Sequence, residues 1–179
     1  VYDGDAVTGA FNEVTATFNR FCSADLPAIS AFSADHRLGT RQRILMNGEE
    51  AGAEGRAVAH VVTGPDAGSS FILPWLGRAS WENMVARPGG RRSTVVAGLD
   101  DSGGGQVYFY VGSKQRTGND VERAGLTDGS LYGLRIEGVA TEDDATSTPA
   151  PVRFGLVEIP GAATMSGAEL QAASAALGV

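Results

Sequence analysis

Groups able to bind a metal cation fall in four short polar clusters, each beside an apolar, strand-like run. The clusters are Arg20-Phe21-Cys22-Ser23-Ala24-Asp25, Asn47-Gly48-Glu49-Glu50, Ser80-Trp81-Glu82-Asn83 and Asp100-Asp101-Ser102-Gly103-Gly104-Gly105. Cys22, Glu49, Glu50, Glu82, Asp100 and Asp101 are the candidate metal ligands. Carboxylates and a thiolate held at strand edges are the donor set a β-fold gathers around a metal from distant parts of a chain.

Each cluster also has a plainer reading. A lone cysteine is often a small buried residue. Glu49-Glu50 after an apolar strand reads equally as a solvated turn, and Asn47-Gly48 as a tight hairpin turn. Trp81 suits a core anchor whose strand neighbour Glu82 faces water. The Asp-Asp-Ser-Gly-Gly-Gly run suits a polar hairpin loop. It lacks the Lys-Ser/Thr end of a phosphate loop and the Asp spacing of an EF-hand.

Other catalytic schemes have less support. His36 and His60 lie outside any His-Glu-x-x-His pattern, and no Gly-x-Ser-x-Gly elbow is present. Cys22 with either histidine lacks a third group to orient the pair.

The elements that must position these groups are short strands. The chain has 179 residues, 42% of them hydrophobic and 20% charged, enough for one domain with a sizeable core. A net charge of −7, with no basic stripe among aromatics, argues against nucleic-acid binding. No apolar run is long enough for a transmembrane segment. The first residues have no signal-peptide features, and the numbering is expected to begin inside a longer precursor. The 25 glycines follow no triplet period and mark turns between strands.

Strands are expected at 43–47, 57–62, 93–99, 106–111, 131–136 and 152–157, with 94–99 and 107–111 forming a hairpin. Residues 141–151, acidic and then rich in Ala, Thr, Ser and Pro, read as a surface loop or insertion. Ser166 with Glu169 three residues on, an Ala-rich body and Gly178 predict a helix over 166–177 whose apolar face is Leu170, Ala173 and Leu177.

The ordered motifs resemble those of bacterial proteins related to the PhoX alkaline phosphatases. They run from Arg20–Pro27 through Ile44–Glu50, Gly55-Arg56 and His60 to Leu73–Arg78 and Ser80–Asn83. They continue with Leu99–Asp101, Gly104–Lys114 and Ala124–Gly133, so the resemblance covers most of residues 18–138. It implies an all-β fold, a six-bladed β-propeller exported to the periplasm or cell envelope or secreted. Its channel would hold iron and calcium and hydrolyse phosphate monoesters. Cys22 matches the family's iron-ligating cysteine, Glu49 the first Glu of its Cys-Glu-Glu motif, Glu82 a channel carboxylate and Asp101 the second Asp of a pair. Arg20 and Arg56 are candidates for supplementing positive charge toward the substrate. Two positions depart from the pattern: Gly48 stands where the phosphatases usually have cysteine, and Trp81 where they have histidine.

At about 40–45 residues per blade, 179 residues supply about three to four of six blades. The expectation is therefore that residues 1–179 are part of one β-propeller domain with a short C-terminal helix. The family's later Arg-Pro-Glu motif does not occur, and another segment or chain is expected to complete the ring. An alternative from a different class is a non-catalytic, calcium-stabilised propeller used for surface binding or assembly.

Overall fold

The computed structural model describes residues 1–35, 37–139, 151 and 153–179. Their architecture is mostly β-sheet with one helix longer than a turn. The chain opens with β1 (Tyr2–Gly4), β2 (Phe11–Glu13) and β3 (Phe21–Asp25). A two-stranded ribbon follows, β4 (Ser33–Asp35) with β5 (Leu38–Gly39). Strands β6 (Ile44–Glu49), β7 (Ala57–Val61) and β8 (Ser70–Ile72) complete a six-stranded sheet in the order β2-β1-β8-β7-β6-β3. Its one parallel pair is β1 with β8.

The second sheet is a sequential antiparallel meander. Strands β9 (Trp81–Ala86), β10 (Ser93–Asp100), β11 (Val107–Ser113), β12 (Ser130–Ile136) and β13 (Phe154–Glu158) lie side by side in chain order. The predicted hairpin pairs Thr94 with Gly112 through Leu99 with Val107. Between β11 and β12 lies the short α1 (Asp120–Arg123), which carries an Asn119–Glu122 capping box. Of the segment 141–151 read as a loop or insertion, only Pro151, exposed and outside any strand, lies within the described residues.

Each sheet contains a run of four antiparallel neighbours, β3-β6-β7-β8 and β9-β10-β11-β12. The chain thus spends about 50 residues on each run, because the β4–β5 ribbon and α1 are inserted between strands. The strands therefore gather into two large sheets instead of the expected three or four units. The first strands of the two runs, β3 and β9, lie against each other. Ser23 Oγ donates to the Glu82 carbonyl at 2.6 Å, and Asp25 Oδ2 accepts the Ala86 N–H at 2.9 Å. The sheets do not close on themselves.

Burial follows the pleat. β11 alternates strictly, placing Tyr108 and Tyr110 inward, while β7 is buried along nearly its whole length as a central strand covered on both faces. Trp81 is fully buried and meets Tyr108 edge to face, centroids 5.7 Å apart.

Helix α2 (Gly167–Ala176) forms as its sequence predicts, with Ser166 and Glu169 in a capping box. Its inward face differs from the expected one. Leu170 is buried, but the fully buried neighbour is Ser174, while Leu177 stays partly exposed. Tyr108 supplies the reason: its hydroxyl lies 3.1 Å from Ser174 Oγ, so a polar side chain is satisfied inside the core.

Candidate functional site

Glu49 and Arg56 face each other across the end of the β6–β7 hairpin, one step beyond the Gly48–Ala57 register pair. Glu49 is 2% exposed. Arg56 Nε donates to Glu49 Oε2 at 2.5 Å and an Arg56 terminal nitrogen to Oε1 at 2.8 Å. The carboxylate also accepts backbone N–H bonds from Asn19 at 2.6 Å and Arg56 at 3.1 Å. Burial pushes the Glu49 carboxyl up, but the Arg56 hydrogen bonds, together with the Asn19 N–H, outweigh it and hold the group below its ordinary pKa. The same guanidinium reaches the Thr17 carbonyl at 2.8 Å and lies over the Phe18 ring.

Cys22, Glu50 and Arg20 occupy a more open edge. Pairing of β3 with β6 shifts between Phe21 and Ala24, so Cys22 and Ser23 lie on a bulge. A bulge re-aims the side chains it carries. Cys22 is exposed, and Arg20 forms an ion pair with Glu50. Hydrogen bonding to Glu50 pushes the Cys22 thiol above its ordinary pKa, with partial desolvation and the charges of Glu50 and Glu82 adding to the rise and Arg20 opposing it. Glu82 projects to solvent from β9, beside β3. Groups from three of the four sequence clusters thus share one edge.

The fourth cluster has other work. Asp100, at the end of β10, accepts the Ser80 N–H at 3.1 Å, and the Asp101 N–H donates to the Ser80 carbonyl at 2.8 Å. Partial burial pushes the Asp100 carboxyl up, with the neighbouring Asp101 adding to the rise. Asp101 itself is exposed. These contacts clamp the β9–β10 end, as the hairpin-loop reading of this cluster expects.

Asn47 and Gly48 lie inside β6 and make no turn. His60 packs among Phe18 and Phe21 and bonds Ser70 Oγ at 2.8 Å. His36 lies outside the described residues.

The donors do not assemble a metal centre. Glu50 and Glu82 each lie near enough to Cys22 to raise its pKa, whereas Glu49 is already neutralised by Arg56. Among the described residues, no three His, Cys, Asp or Glu side chains form a group able to hold a metal ion. Sequence reasoning missed the Asn19 N–H, which needs tertiary contact to appear. It also missed the partnership of Glu49 with Arg56, which hairpin register alone would have revealed. Among the described residues, no helix is long and apolar enough to cross a membrane. In comparison with known proteins, the chain matches no family model, no curated protein and no solved structure.

Proposed function

We propose that this chain contributes two adjoining blades to a β-propeller of PhoX type, a metal-dependent phosphoesterase of the bacterial envelope. The reading rests on one observation: β3 and β9, each the first strand of a four-stranded antiparallel run, lie together and carry Cys22 and Glu82 beside Glu50. In a propeller the first strand of each blade lines the axis, so these groups would face the channel. Open sheet edges leave room for further blades from another segment or chain.

Cys22, Glu50 and Glu82 would contribute part of a ligand shell for iron and calcium, with Arg20 holding Glu50 in place. A cation in such a shell supplies positive charge toward phosphoryl oxygens of a phosphate monoester. The test is metal analysis of the purified protein, paired with hydrolysis of a generic phosphate monoester before and after chelation, for native, C22S and E82Q proteins. Bound iron and calcium that fall in both variants, with chelation-sensitive hydrolysis, support the reading. Metal content unchanged by both substitutions overturns it.

The Glu49–Arg56 pair favours a second reading, a non-catalytic, calcium-stabilised propeller used for binding or assembly. A carboxylate already neutralised by Arg56 is withdrawn from a catalytic iron site, which leaves only the carboxylates of the more open edge for a structural cation. Calcium-dependent thermal stabilisation without hydrolysis supports that reading.

A further inference from the structure

We propose that a basic cavity at the far end of the β10–β11 hairpin, formed by Arg92, Lys114 and Arg116, binds a phosphate group. This inference is independent of the metal edge at Cys22, Glu50 and Glu82.

Lys114 is the only lysine of the sequence. It follows β11 and is 4% exposed. Its ammonium donates to the Ser93 carbonyl at 2.6 Å. An ammonium has three donors, and among the described residues no carboxylate forms an ion pair with it. A charged group buried without a counter-ion is costly unless a ligand supplies one. Burial alone lowers the Lys114 pKa to about 8.

The backbone holds Lys114 beside Arg92: the Lys114 N–H donates to the Arg92 carbonyl at 2.8 Å, extending the ladder one step. Arg91, next to Arg92, has φ 49°, the one non-glycine residue with positive φ among the described residues. Such a backbone persists only where the structure around it requires it.

Lys114, Arg92 and Arg116 line a cavity of about 360 Å³ together with the hydroxyl-bearing Ser113 and Thr117. Asp128 accepts the Ser113 N–H at 3.0 Å and the Gln115 amide at 2.5 Å, both from residues that line the cavity, while Asp120 bonds Thr40 at 2.5 Å and pairs with Arg123.

Three cations and two hydroxyls suit a tetrahedral dianion better than a single carboxylate, because guanidinium forks match phosphate oxygens. The volume admits a phosphate with a small organic group attached. Free phosphate and a small phosphate ester share this chemistry.

The test is calorimetric titration of the whole chain with inorganic phosphate at pH 7, against chloride at matched ionic strength. Native, R92Q, R116Q and R135Q proteins are compared, Arg135 being an exposed arginine of β12 outside the cavity. The expected result is saturable binding, weakened at least about tenfold in R92Q and in R116Q, as loss of a charge-assisted hydrogen bond implies, and unchanged in R135Q. Arg92 and Arg116 are exposed, so these variants keep the fold. Acylation of Lys114, followed by peptide mass spectrometry, should slow when phosphate is present. Glycerol phosphate in a parallel titration assigns the source: tighter binding than phosphate points to an ester, and equal binding to the free anion. Absence of saturable binding, or binding unaltered in both arginine variants, overturns the proposal.

Discussion

Trp81 packs directly over Gly48: a Cβ built at Gly48 would lie 2.4 Å from the Trp81 Cβ and 3.2 Å from its Cγ. The two positions at which this chain departs from the motifs it resembles are therefore in contact. Gly98 gives the indole room on its other side, where an added Cβ would meet Trp81 at 2.7 Å. A glycine in mid-strand weakens the strand, and here it is the condition for burying the ring.

Gly48→Ala should destabilise the protein by about 2 kcal/mol, the ordinary cost of overpacking a full core. Trp81→His should not rescue it, because the nearest atom is the Cβ, which histidine shares. Urea denaturation of the single and double variants checks both statements. Full rescue in the double variant would mean that the indole alone closes the space.

Glu49 and Arg56 should behave as a unit. Glu49→Ala leaves a largely buried guanidinium without its partner, and a loss of about 3 kcal/mol is expected. Arg56→Lys should recover only part of the loss seen in Arg56→Ala, since an ammonium does not reproduce the two-point contact. Because the folded-state pKa of Glu49 lies below its ordinary value of 4.5, its contribution is present in full above that value and is lost as pH falls through the lowered one. Acid titration of Glu49→Gln, followed by circular dichroism, should show a shallower loss of stability below pH 4.5 than the native protein.

This pair also shows where the sequence stops being legible. Strands β6, β7, β10, β11 and β12 are readable because they are runs of β-branched and aromatic residues long enough to show a pleat. Helix α2 is readable from Ser166 and Glu169. By contrast, β1, β2 and β8 are three residues each, and β1 is held in the sheet between its near neighbour β2 and β8, more than sixty residues further along the chain. Strand β9 is hidden by its polar start and by a register shift against β10 that breaks its alternation, although it puts Glu82 outside and Trp81 inside, the plainer of the two readings of that cluster. Sequence marks six acidic or thiol groups as equals. Only the fold separates Glu49, held by Arg56, from Glu50 one residue later, which reaches the Cys22 edge.

At that edge the thiol should be slow to react. Negative charge beside Cys22 raises its pKa, and the thiolate is the reactive form. Glu50→Gln removes the strongest of these influences and should speed alkylation by iodoacetamide at pH 7.5 severalfold, while Arg20→Gln should slow it. Mass-spectrometric rates decide. If Glu50→Gln leaves the rate unchanged, Glu50 does not control the thiol.

Lys114 gives the protein a stability that should rise with pH. Its folded-state pKa, about 8, lies below the ordinary 10.5, so between those values the unfolded chain holds a proton that the folded chain has released. Folding is therefore most penalised below pH 8 and gains up to about 3 kcal/mol as pH rises toward 10.5. Tyr108 and Tyr110, whose burial pushes their hydroxyls up, act in the opposite direction only once tyrosines in the unfolded chain ionise near pH 10. The clean window is thus pH 8 to 9.5. Native protein should resist urea better at pH 9.5 than at pH 8, and Lys114→Met should lose that increment while gaining stability at pH 7. Phosphate ties this result to the proposed cavity: an anion beside the ammonium restores its charge in the folded state, so saturating phosphate should flatten the native slope across the same window. A native slope that is absent without phosphate would show that the Lys114 ammonium is not buried as charged, and would remove the reason for an anion in that cavity.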